Sequence, residues 1–128
     1  MEEFVITIPR EPTFSVVADL VVGGIAARHE FTLEVLDDLQ LALDALLEHG
    51  EEEDGDVTVE LRVAGSEIAA LVGPVPDATV AELEQEAGQS LGLRRLLETT
   101  VDDVALTERD GAVWVELRKA YSLAGAEG

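Results

Sequence analysis

Two histidines and a series of helix-spaced carboxylates are the side chains in this sequence best suited to moving a proton or holding a metal. His29 and His49 are its two imidazoles. Together they would suit a transition metal, but His29 precedes an acid and His49 a glycine, positions where helices end. The helix-end role is the simpler reading. Glu34, Asp37, Asp38, Asp44 and Glu48 recur along one stretch, and a pair of such carboxylates can act as acid and base. Their spacing sets them opposite a leucine stripe, so they read as the solvated face of a helix. Ser90 and Gly92 lie where a further helix opens. The same two residues make an ordinary cap and tight helix entry. No Ser/His/Asp or Cys/His arrangement, P-loop or dinucleotide fingerprint is recognisable. With no cysteine there is neither a disulfide nor a thiolate metal site.

The element that must position these residues is Thr32 to Gly50. Leu33, Leu36, Leu39, Leu43, Leu46 and Leu47 recur there at three- and four-residue steps, which predicts a helix buried along one stripe. Thr32 can cap its first turn, Phe31 and Leu36 can staple it, and Gly50 suits the left-handed residue beyond its end. Before it, Phe4, Ile6 and Ile8 alternate in a strand ending at Pro9. Glu11-Pro12 opens a helix with Phe14, Val17, Val21, Gly24, Ile25 and Arg28 on one stripe. Gly23-Gly24 inside that helix costs about 1 kcal/mol per residue relative to Ala, a cost that close approach to the neighbouring helix would offset.

After the loop EEEDGD, which does not fit an EF-hand, Val57 to Val63 alternates as a strand. Glu67 to Val72 returns as its hairpin partner. Asp77 caps a helix over Ala78 to Ala87, and Ser90 opens another. Thr100 to Glu108 and Ala112 to Arg118 make a second hairpin across Asp110-Gly111. Strands with one apolar face call for helices on one side only. The expected fold is therefore α+β, one domain over residues 1–128, a two-layer α/β sandwich with a mixed, mostly antiparallel sheet. Trp114 falls on its outer face and hints at a contact surface.

Charge narrows the choice of partner. There are 28 acidic and 8 basic residues, a formal net charge of −20, in a chain that is 47% hydrophobic. Such a field repels nucleic acid and anionic lipid unless a basic patch intervenes. Arg94-Arg95 and Arg118-Lys119 are the two adjacent basic pairs, and they read as solvated element ends. The start MEEFVITIPR has no signal-peptide character, and Val16 to Ala27 is too short to span a bilayer. A cytoplasmic protein is expected, without nucleic-acid or membrane partners.

The order of elements, with EFVITIP, the Glu11-Pro12 opening, FTLEVLDDLQLALD and SLGLRRLLETTVDDVAL, resembles the RsbW-like anti-sigma-factor serine kinases of the histidine-kinase-type ATPase superfamily. The resemblance spans almost the whole chain and implies that superfamily's fold. In those kinases the long helix carries a Glu base and, four residues on, an Asn for the Mg²⁺ of ATP. Ala45 and His49 stand at those positions here. Alanine accepts no proton, and imidazole is a poor Mg²⁺ ligand. The family's adenine-reading Asp box falls on ALVGPVPD, where Gly73 remains but Asp77 lies beyond two prolines. Its glycine box remains in part as Ser90 and Gly92.

The resemblance thus implies a degenerate ATP site with His49, Gly73, Ser90 and Gly92 as remnants, and no catalytic residue, metal or cofactor. The function expected is a non-catalytic regulatory interaction module in anti-sigma or partner-switching signalling. Its partner would be a sigma factor or antagonist domain, with homodimers as in relatives. The alternative is an ATP- and Mg²⁺-dependent serine/threonine kinase whose site is rearranged around His49 or Asp77. A subunit or fused regulatory domain outside sigma control is a third reading.

Overall fold

The computed structural model describes residues 2–49, 55–84 and 92–121. Five strands and four α-helices follow one another along them: β1 (Glu2–Pro9), α1 (Ser15–His29), α2 (Leu33–His49), β2 (Asp56–Ala64), β3 (Glu67–Gly73), α3 (Asp77–Glu84), α4 (Leu93–Thr100), β4 (Asp103–Arg109) and β5 (Ala112–Ala120). The sheet order is β1-β2-β3-β5-β4, and every pairing among the described strands is antiparallel. The expected two-layer α/β sandwich is present, with an antiparallel rather than a mixed sheet. Gly50, the acidic run 51–54, the end of the helix expected over Ala78 to Ala87, and Ser90 lie outside the described residues.

Period-two burial shows how the strands meet the helical layer. Val57, Val59, Leu61 and Val63 of β2 and Ile68, Ala70 and Val72 of β3 are buried, while Thr58, Glu60 and Arg62 turn outward. Asp110 and Gly111, at φ 53° and 80°, make the expected tight turn between β4 and β5. Thr100 belongs to the end of α4 rather than to the following strand, which starts at Asp103.

Both long helices form where the sequence places them, with their buried stripes rotated. In α2 the buried residues are Val35, Leu39, Ala42, Leu43, Leu46 and Leu47, whereas Leu33 is 76% exposed. Thr32 Oγ1 accepts from the Val35 N–H at 3.3 Å, capping the helix as expected. In α1 the buried residues are Ala18, Val22, Ile25 and Ala26. The expected stripe was one position off because this helix is apolar nearly all round, so its pattern barely distinguishes one face from another. Gly23 and Gly24 also depart from expectation: a Cβ at either would meet nothing within 4 Å. Their close approach to a neighbouring helix is absent among the described residues.

Candidate functional site

Of the retained positions within the described residues, His49 ends α2, Gly73 ends β3 and Gly92 precedes α4. His49 is the last residue of α2, and its Nδ1 lies 2.9 Å from Thr79 Oγ1 on α3. Thr79 is 1% exposed, so this bond satisfies a hydroxyl that water cannot reach. Pro76 sets up the partner by accepting the Thr79 N–H at 2.9 Å, the start of α3. Ala45, one turn before His49, is half-buried against the core. His29 sits at the end of α1 instead, 2.6 Å from Glu2 Oε1. The two histidines serve separate helix ends.

Gly73 closes β3, buried against the outer face of the sheet. A Cβ there would overlap the Trp114 indole of β5. The glycine is required by that ring, a local reason that needs no nucleotide. Trp114 does lie on the outer face, but it is 9% exposed and covered by Arg109, whose guanidinium carbon is 4.6 Å from the ring centroid. Arg109 is held in turn by Glu60. Further along, Arg62 pairs with Glu3 at 2.7 Å, and Arg118 with Glu116 at 3.1 Å. The contact surface expected around Trp114 is thus roofed by the protein's own cations.

Gly92 enters α4 as the residue before its first turn, with extended φ −77° and ψ 168°. The position an incoming phosphate would take at that helix start is approached by a side chain instead. Glu82 Oε1 of α3 accepts from the Leu93 N–H at 3.3 Å. A carboxylate there complements the positive end of the helix, as a phosphate oxygen would. Arg94 donates from Nη1 to the Leu83 carbonyl at 2.9 Å and from Nε to Glu98 at 3.1 Å, fastening α4 to α3. A cavity of about 280 Å³ runs along α4, lined by Gly92, Leu93, Arg95, Leu96 and Thr99. Asp77 is exposed at the start of α3, across the cis Gly73-Pro74 bond and Pro76 from the strand end.

The helix-face acids divide. Asp38 pairs with Lys119 of β5 at 3.0 Å, and Asp44 is not solvated as expected: it is half-buried and faces Asp19 of α1. Burial, then the bond and charge of Asp19, then the charge of Glu48 push its carboxyl up to about 7. Asp19 is the acidic residue within the otherwise apolar run Val16 to Ala27 of α1. Glu82, Thr79 and Asp19 were missed because each acts through a residue on another helix. A period-four carboxylate beside a leucine stripe was the one available signal, and it marked Asp44 without its partner.

Among the described residues no group of three or more His, Asp or Glu is placed to hold a metal ion, and no helix is long and apolar enough to cross a membrane. No protein-family model matches the chain. Among characterised proteins, the chain is similar to the serine-protein kinase RsbW of Listeria innocua serovar 6a, at 26% identity over 86% of this chain and 82% of that protein.

Proposed function

We propose that this chain is a regulatory protein-interaction module related to RsbW-type kinases that no longer performs ATP-dependent phosphoryl transfer. The observation carrying the reading is that His49 and the start of α4 are satisfied from within the protein. Glu82 occupies the start of α4, and His49 is bonded to Thr79. A phosphate entering at Leu93 would meet a carboxylate already there, and like charges at that distance repel. Ala45 supplies no base. Binding then carries the function, in anti-sigma or partner-switching signalling in the cytoplasm. The partner is a sigma factor or an antagonist domain, met by a basic patch that complements the −20 surface. Self-association into homodimers belongs to the same reading.

A second reading, an ATP-binding serine/threonine kinase with a rearranged site, draws on the name of the similar protein and on the cavity beside Gly92, where Arg95 offers a cation. Thermal unfolding with Mg-ATP, with ADP and with Mg²⁺ alone separates the two. A ligand at a hundred times its dissociation constant adds about 2.7 kcal/mol of stability. The interaction-module reading expects no shift beyond a matched salt control. A rise of several degrees with Mg-ATP would favour the kinase, and phosphate transfer to a partner would establish it.

A further inference from the structure

Where α1 crosses α2, two carboxyl groups face each other, and no described cation pairs with either. Oδ1 of Asp19 and Oδ1 of Asp44 are both sealed from solvent, and neither has a hydrogen-bond partner among the described residues. The two side chains lie within interacting reach of each other. Two ionised carboxylates have no hydrogen to share, so a hydrogen bond between them requires a proton. Asp19 sits between Ala18 and the buried Val22 on α1, and Asp44 follows the buried Ala42 and Leu43 on α2, so the pair lies in the packed seam. The nearby neutral donor is committed elsewhere: Gln40 Nε2 donates to the backbone carbonyl of Asp19 at 3.1 Å.

We propose that Asp19 and Asp44 form a proton-operated latch, in which one shared proton holds α1 against α2 and its release loosens α1. The charged groups acting on the pair are all acidic. Asp44 feels Asp19 across the seam and Glu48 one turn along its own helix. Asp19 feels Asp44. β1, the turn at Pro12–Phe14 and α4 also pack on these helices, and none gives either carboxyl an ion pair among the described residues. Asp44 holds the proton and donates it to the Asp19 carboxylate. When it leaves, two like charges face each other in a half-buried seam.

The direction of the pH effect follows from proton counts. The ordinary value for this carboxyl is 3.8, and burial beside Asp19 pushes Asp44 up to about 7 in the fold. Between these values the folded protein holds a proton that the unfolded chain has lost. The latch's contribution is therefore full below about pH 4, declines as pH rises towards 7, and is gone above it.

The test follows Asp44 through its side-chain carboxyl carbon by NMR between pH 4 and 9 in the full chain. Hydrogen exchange of the α1 amides is followed in parallel at pH 6 and 8, in 0.5 M sodium chloride to screen surface repulsion. The expected midpoint is near 7, falling by more than one pH unit in Asp19→Asn, whose amide donates to an ionised Asp44. In Asp44→Asn the amide replaces the shared proton, so α1 at pH 8 should exchange about tenfold more slowly than in the unsubstituted protein. An Asp44 midpoint below pH 5 would overturn the proposal. So would α1 exchange that, corrected for its intrinsic pH dependence, is the same at pH 6 and 8. Both measurements on the unsubstituted chain decide the matter even if a variant does not fold.

Discussion

At the scale of single residues, the sequence marks the positions that matter better than it gives their reasons. Gly73 stands out as a remnant of an adenine-reading box, and the fold explains it by the indole of Trp114 on the neighbouring strand. Gly73→Ala should therefore lower stability by about 1–3 kcal/mol, since the ring is walled in by Arg109 and has little room to shift. Denaturant unfolding followed by the fluorescence of Trp114 measures this directly. His49 was legible as a helix-end residue, which it is, but its bond to Thr79 joins residues thirty apart in sequence. Asp44 shows why one chain conceals such pairs. Its helical phase suggests solvent, and only the crossing of α1 over α2 brings Asp19 to it.

Among the elements, legibility followed amphipathicity. α2 has a clear apolar face, and its extent and Thr32 cap were readable, apart from Leu33, its exposed first residue. α1 has apolar residues on every side, so its presence was readable but its rotation was not. That ambiguity leaves Gly23 and Gly24 facing open space. Neither has the positive φ that would make a side chain strained. Gly24→Ala should stabilise the protein by about 0.5–1 kcal/mol through the lower chain entropy of the unfolded state. A rise of a few degrees in Tm is the expected result. A fall would mean that the α1 face is occupied in solution by something that needs the glycine.

For the molecule as a whole, the layer architecture was readable because strands of period two alternated with helices of period near three and a half. The all-antiparallel pairing was not, since it depends on which strands lie side by side. The charge balance was fully legible, and its consequence belongs to this scale. A formal charge of −20 on a chain of 128 residues repels itself most in the folded state, where charges are closest. Raising sodium chloride from about 0.05 to 0.5 M shortens the screening length from above 10 Å to well below it. Tm should rise over that range. The ion pairs of the outer sheet face oppose the trend only weakly, because exposed pairs contribute about 0–1 kcal/mol each.

Among the described residues, the sheet order leaves β1 and β4 each with one unpaired side. Open strand edges invite other chains to add on, the route by which β-rich proteins aggregate and form fibres. β1 starts with Glu2 and Glu3 and ends at Pro9, which cannot donate to a ladder, while β4 starts with Asp103 and ends with Glu108 and Arg109. Acid at the margins of a protein already strongly negative makes edge-to-edge stacking of two copies costly. The charge that burdens the folded chain thus also guards its borders, keeping a hydrophobic sheet from templating its own polymer.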